Sequence, residues 1–522
     1  FKKHLGTVSP KVELKDPVML EDYATSGKLE LTLKNFLQLT MSNNPDISIQ
    51  VVSVEIQKDA ITRAFGIFDP LAVTRFTTTR QQTPSSSALN GAVSLNTLTQ
   101  PFSMSYTQLL SSGATVAMSF SNTRLSTNSS FATYNPSHSS NMGWNVTQPL
   151  LKGRGGWVTR LPITIARSKL KSSTYSLEVQ VLQLIVNAEL AYWAVVEARE
   201  NLRVQEESLA LADTALKRSK RELELGAISS LEIFQPEANY ATAQINVVQA
   251  RYRLAQAEDA ARRQIGADLS PKFRDMPLVL TEAVTPPAAG ASGLDRESLI
   301  AKALGRRADL KALSETLAGD DLSIAQTNNA LLPDLSLTAQ YGSYGQGGVG
   351  RTLTNVFQSD GTSSQVVAVT PGGFGDAFSQ VWGFGYPTYG FGLTLRLPIR
   401  DRAAAANLAD AVVSKKLDTL RSRSLTQNIR LQVAQAVSQV ENSKASVELA
   451  KIARDLAQKR VDADQKRYEL GTTTIFFVLA SQNDLTTAES NLVRESINYR
   501  RNLLTLLQRT GELLDERGIR IQ

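Results

Sequence analysis

Between Pro162 and Leu225 the chain has no further proline and no glycine, and the same holds from Arg402 to Leu470. In the first stretch Leu177, Val181, Leu184, Ala188, Ala191 and Val195 recur at steps of three and four. Ile429, Val433, Ala436, Val440 and Val447 do so in the second. This spacing predicts two long helices, each burying one face in a coiled-coil-like seam. At about 1.5 Å per residue the first would be roughly 95 Å long, far beyond the width of a globular domain.

Both stretches stop at a glycine, and the sequences around the stops match. Arg221 to Val248 reads RELELGAISSLEIFQPEANYATAQINVV and Arg467 to Val493 reads RYELGTTTIFFVLASQNDLTTAESNLV. Glu224-Leu225-Gly226 answers Glu469-Leu470-Gly471, and Thr242-Ala243-Gln244 answers Thr487-Ala488-Glu489. Two hairpin tips in one chain imply an internal duplication. Each glycine suits a left-handed helix cap.

The rest of the chain fits a doubled plan. Residues 1–30 carry Pro10 and Pro17 without periodicity and read as an extended arm, and residues 31–70 read as helices, the second capped by Asn44 with Pro45 at its first position. Residues 71–151 turn to period two. Phe102, Met104 and Tyr106, then Val116, Met118 and Phe120, then Met142, Trp144 and Val146 alternate with small polar residues, around a turn at Ser111-Ser112-Gly113. Strands between lipid and an aqueous lumen need this pattern, and a soluble sandwich would show it too. The segment 71–80 alternates less regularly.

Residues 152–270 form the first long hairpin. Its return helix is expected from about Ser230 to Ile265, with Ser229 and Glu232 spaced as a capping box and Pro236 either kinking it or opening it. A linker follows at 271–294 with Pro271, Pro277, Pro286, Pro287 and Gly290. Helices fill 295–332, and strands with a long Gly/Ser-rich loop fill 333–399. The second hairpin spans 400–511, capped by Asp401, and a tail covers 512–522. In each half the two shorter helices total roughly the length of the long one, which predicts a tall helical cylinder with strands at one end and both glycine turns at the other.

Composition narrows the function. With 42% hydrophobic and 20% charged residues the chain is a folding one, and no apolar run reaches the roughly 18 residues of a membrane-spanning helix, so a membrane would be crossed by a β-barrel. The net charge of +7 is spread along helices, without a basic stripe interleaved with aromatics, so nucleic acid is not an expected partner. Cysteine is absent, which removes disulfides, thiolate metal sites and a lipid-bearing cysteine within these residues. No signal peptide is visible, and Phe1 reads as the start of a mature or trimmed chain. The two histidines, His4 and His138, supply neither a metal site nor a catalytic triad. Gly345 to Thr352 lacks the lysine of a phosphate loop, and Gly153, Gly155 and Gly156 read as a strand-to-helix hinge. No cofactor and no enzyme activity are expected.

The order helix, strand pair, long helix, glycine turn and return helix, given twice, resembles the TolC-like outer-membrane efflux protein family along nearly the whole chain. Tyr468-Glu469-Leu470-Gly471-Thr472, Leu223-Glu224-Leu225-Gly226-Ala227 and Gln148-Pro149-Leu150-Leu151 carry the resemblance. It implies an α+β membrane protein with a long periplasmic α-helical barrel and an outer-membrane β-barrel shared by a homotrimer. The chain would serve as the exit duct of a tripartite efflux or type I secretion system, set in outer-membrane lipid. A periplasmic adaptor and, through it, an inner-membrane pump would be its partners. By position Leu225, Gly226, Ala227, Leu470, Gly471 and Thr472 would meet the adaptor.

The family's charged gate is not kept. Thr473, Phe477 and Ala480 stand where it has an arginine and two acids, while Glu232 and Tyr468 are retained. The resemblance thus leaves an apolar constriction at Phe477, with Ile475 or Phe476, or packing of these aromatics between helices. Two strands per half would give twelve in the trimer. Four candidates in the first half (71–80, 102–108, 114–120 and 142–150) leave eighteen open, with twelve preferred. A periplasmic adaptor-like protein or a structural coiled-coil envelope protein without a channel is the alternative. The first would carry one hairpin per chain, and the second leaves the alternating strands unexplained.

Overall fold

The computed structural model of the chain describes residues 19–25, 27–86, 91–284, 295–354 and 365–519. Most of the expected arm, including His4, and the linker residues Pro286, Pro287 and Gly290 lie outside them. The first elements are β1 (Ala24–Thr25), β2 (Lys28–Leu31), α1 (Leu33–Asn43), α2 (Pro45–Phe65), β3 (Leu71–Phe76), β4 (Thr79–Pro84), β5 (Ser94–Leu109), β6 (Thr115–Thr127) and β7 (Tyr134–Pro149). Next come α3 (Gly156–Thr159), α4 (Leu161–Glu224), α5 (Phe234–Gln264), α6 (Pro271–Arg274), β8 (Leu278–Leu280), α7 (Arg296–Arg306) and α8 (Ala308–Ala330). The last are β9 (Asp334–Thr354), β10 (Gln365–Thr370), α9 (Phe374–Trp382), β11 (Tyr386–Arg396), α10 (Arg402–Glu469), α11 (Ile475–Thr510) and α12 (Leu513–Glu516).

Contacts divide the chain into two units. One takes the described residues within 1–56, 171–314 and 420–522, and the other takes 57–170 and 315–419. In the helical unit, β1, β2 and β8 form a small sheet in which β2 and β8 run parallel, and Leu29, Leu31, Leu278 and Leu280 are buried under it. Tyr192 of α4 is fully buried here. Its ring meets Phe36 edge-on at 5.5 Å, and its hydroxyl donates to the Leu31 carbonyl at 3.4 Å. A second core joins Ile300 and Ala303 of α7, Ile429, Val433, Ala436 and Val440 of α10, and Leu506 of α11.

The expected seam of α10 is buried throughout, and that of α4 is buried at Leu177, Val181, Ala188 and Val195. Leu184 and Ala191 are only half-buried, and Ile185, Tyr192 and Val196 widen the buried face. One correction concerns hydropathy. A stretch of α4 is long and apolar enough to cross a membrane by length and composition, and half of it is buried within the chain. Its apolar character serves helix packing, which a long interior helix needs on more than one face.

The other unit is an antiparallel sheet in the order β10-β9-β7-β6-β5-β3, with β4 on the first half of β5 and β11 on the first half of β9. Phe120 pairs across β6 and β7 with Met142, Met118 with Trp144, and Trp144 across β7 and β9 with Tyr341, which faces Tyr389 of β11. Because side chains alternate along each strand, these residues share one face. Ser119, Gly143 and Gly342 share the other, where small side chains leave a hollow of about 450 Å³.

One expectation fails in the second β region. The supposed Gly/Ser-rich loop after Tyr341 continues as β9 to Thr354, and α9 lies on it, on the face of Phe120. A Cβ on Gly345 would come within 2.0 Å of the Ala377 carbonyl oxygen, and one on Gly347 within 2.4 Å of that of Gly373. The glycines that suggested a loop are there so that a helix backbone can touch the strand. The capping box at Ser229 and Glu232 also does not form. Ser229 Oγ accepts from the Leu231 amide at 3.3 Å, and the return helix α5 starts at Phe234 with Pro236 in its first turn, where no amide donor is needed. By contrast Asn44 caps α2 through the Asp46 amide at 2.9 Å, and Asp401 caps α10 through Ala404 at 2.9 Å.

Candidate functional site

The two glycine stops are built alike. At the end of α4 the Ala227 amide donates to the Glu222 carbonyl at 2.8 Å and Gly226 to Leu223 at 3.0 Å. At the end of α10, Thr472 donates to Arg467 at 2.9 Å and Gly471 to Tyr468 at 3.0 Å. These are paired Schellman bonds closing on a left-handed residue, with φ of 73° at Gly226 and 71° at Gly471. Arg221, Lys466 and Arg467 lie in the last turns, where positive charge offsets the helix dipole. The turns push their apolar residues outward, leaving Leu225 79% and Leu470 78% exposed, with Gly226, Ala227, Gly471 and Thr472 exposed beside them.

The structure brings the tips together. Ala215 of α4 packs with Ile475, Val478 and Leu479 of α11, and the Tyr468 ring covers this cluster. The Tyr468 hydroxyl donates to Glu222 Oε2, while Arg218 pairs with Glu222 Oε1 at 2.9 Å and lies over the Tyr468 ring at 4.6 Å. Burial, the Glu222 carboxylate and the charge of Glu232 push the Tyr468 phenol up to about 12, so it remains a donor throughout the physiological range. Asn483 of α11 donates to Asn239 of α5 at 3.1 Å, and Arg460 of α10 pairs with Asp484 at 2.9 Å.

The candidate gate residues separate into two groups. Tyr468 lies against the tip cluster with Glu232 among the charges that raise its phenol, Thr473 and Ala480 are half-buried, and Ile475 is buried in the cluster. Phe476 and Phe477 stand outside that cluster. Their rings touch each other edge-on at 5.6 Å and stand 54% and 51% exposed. Arg218 and Glu222 were not singled out by sequence reasoning. Their four-residue spacing is a signal for an ion pair, but the tyrosine they serve lies 246 residues away from Glu222.

Long helices ending in twin Schellman turns, together with an antiparallel sheet that has one apolar and one small polar face, define a helical and β class of protein. The chain belongs to the outer membrane efflux protein family, whose model matches residues 113–267 and 299–512. It is thus an outer-membrane protein of efflux. A curated relative, the outer membrane efflux protein BepC of Brucella suis, is 23% identical over 369 residues, covering 70% of this chain and 72% of its own. Among solved structures, the Campylobacter jejuni CmeC outer membrane channel superposes with a TM-score of 0.62 at 16% identity, covering 98% of this chain and 91% of its own. The outer membrane protein VceC of Vibrio cholerae gives 0.62 at 12% identity, with 92% and 96% covered.

Proposed function

We propose that the chain works as a homotrimeric exit duct, its sheets closing one shared outer-membrane barrel and its helices one periplasmic tunnel, built from two repeats. Substrates pass through it passively from an inner-membrane pump and periplasmic adaptor. The observation that supports this most is the sheet: an exposed apolar face running from Met104 through Trp144 to Phe391, backed by a face of serine, glycine and asparagine. Lipid on one side and water on the other account for both faces. The adaptor docks on Leu225, Gly226, Ala227, Leu470, Gly471 and Thr472, because two exposed leucines on rigid caps are the apolar points a helical partner can cover. Phe477, with Phe476, narrows the trimer's entrance as an apolar constriction that closes by dewetting, while the Tyr468–Glu222–Arg218 link holds the tips against each other.

Cell fractionation with unheated gel migration tests the duct. An outer-membrane trimer is expected, and a soluble monomer would sink the reading. For the constriction, Phe477→Ala in planar bilayers should raise conductance; an unchanged conductance would remove Phe477 from the gate.

A further inference from the structure

The β5–β6 hairpin, between β3 and β7 in the chain's sheet, decides how wide such a barrel is. It is not an appendage of the sheet. β5 is bonded to β3 on one edge from Phe102 to Thr107 and to β6 on the other from Thr97 to Leu109. In turn β6 is bonded to β7 from Thr115 to Leu125. The levels coincide as well. Met104 faces Thr74 of β3 and Phe120 of β6, Phe120 faces Met142 of β7, Met142 faces Ser343 of β9, and Ser343 faces Pro387 of β11. One row of pairs therefore crosses six strands, β3-β5-β6-β7-β9-β11, without a gap.

The turn of the hairpin also lies at the end of the sheet where the chain leaves for the long helix. The Gly155 amide, just before α3, donates to the Ser112 carbonyl at 3.2 Å. A Cβ on Gly113 would meet the Gly153 carbonyl oxygen at 2.6 Å, and one on Gly156 would meet that of Ser111 at 3.0 Å. A hairpin that hung outside the cell could not place its turn against the strand-to-helix hinge, because that hinge belongs to the periplasmic side. The hairpin spans the full height of the wall instead.

We infer that each chain supplies six wall strands, so that the trimer closes an eighteen-stranded barrel in which β3 of one copy pairs with β11 of the next. This rests on the shared-barrel reading above and goes beyond it. The edges suit a second copy of this chain. Along the row the strands alternate in direction, so β3 and β11 run opposite ways, and β11 meeting the next copy's β3 continues an all-antiparallel wall. Among the described residues β3 pairs only with β5 and β11 only with β9, and both are exposed along nearly their whole length. Unpaired edges of this kind cannot remain open in a bilayer. With strands about 4.8 Å apart and tilted by about 40°, the barrel would be roughly 36 Å across, against roughly 24 Å for twelve strands.

The absence of native cysteine makes single-cysteine labelling clean. Met104→Cys, Met118→Cys, Ser105→Cys and Ser119→Cys are each tagged with a fluorophore in the reconstituted protein, beside Trp144→Cys and Phe391→Cys as references, and exposed in turn to a lipid-borne and a water-soluble quencher. Labels at 104 and 118 should be quenched from lipid like the references, and those at 105 and 119 from water. Labels at 104 and 118 quenched only from water, with the references still quenched from lipid, would overturn the six-strand wall and leave the duct intact. References not quenched from lipid would overturn the shared barrel, and the strand count with it. An electron-microscopic view down the barrel axis should count eighteen strands, and twelve would refute the inference directly.

Discussion

Replacing Tyr468 by phenylalanine keeps the ring beneath Arg218 and over the Ala215–Ile475–Val478–Leu479 cluster, and deletes only the hydroxyl that donates to Glu222. A hydrogen bond to a charged acceptor contributes about 1.5–3 kcal/mol when well shielded. With both partners only half-buried, about 1–1.5 kcal/mol is the reasonable figure. At about 1.4 kcal/mol per tenfold change in equilibrium constant, the tip should open roughly five- to tenfold more often. Hydrogen exchange of the amides from Thr472 to Leu479 reads that opening directly, and single-channel recording reads its effect on the entrance. A double-mutant cycle with Glu222→Ala should give a coupling of about 1 kcal/mol, since the two groups act through one bond. Exchange at the tip indistinguishable from wild type, or a coupling near zero, would refute the idea that this bond holds α10 to α4.

Other substitutions probe the remaining elements. The raised Tyr468 value means the folded state holds a proton that the unfolded state has lost between pH 10 and about 12. Its contribution is thus complete below about pH 10 and disappears as pH rises to about 12, which tip exchange measured against pH should show. Gly471→Ala meets no atom within 4 Å and should cost only the left-handed strain of about 1–2 kcal/mol. Gly266→Ala, at φ 71° with Asn43 Cβ 3.1 Å away, should cost more in thermal unfolding. Arg517 pairs at 2.6 Å with Glu189, which is 1% exposed. Arg517→Ala should therefore destabilise by about 3–5 kcal/mol, and adding Glu189→Gln should restore part of it in denaturant melts. Glu489 is held above the usual carboxylate range by burial and by Glu207. Glu489→Gln should raise the melting temperature at neutral pH, with the gain fading as acid protonates the native carboxyl.

Local chemistry, which depends on residues near one another in the chain, was legible in advance. The uninterrupted runs from 162 to 225 and from 402 to 470 could only be helices, because nothing in them breaks a turn. Gly226 and Gly471 could only be caps, since the chain reverses there and other residues resist positive φ. The caps Asn44 and Asp401 and the alternation in residues 102 to 120 and 142 to 146 belong to the same class.

What the tertiary structure alone decided are contacts between residues tens to hundreds of positions apart, which no periodicity encodes. Glycine in β9 looked like loop sequence until α9 was seen lying on Gly345 and Gly347. Ile475 and Phe477 are two residues apart and equally apolar, yet only the packing of α11 on α4 buries the first and leaves the second exposed. Tyr468 acquires a role only when Glu222 and Arg218 arrive beside it. The membership of β5 and β6 in the sheet is of the same kind. Alternation says that a strand has two different faces, but hydrogen bonds to β3 and β7 say which strands are its neighbours, and those bonds exist only once the chain has folded.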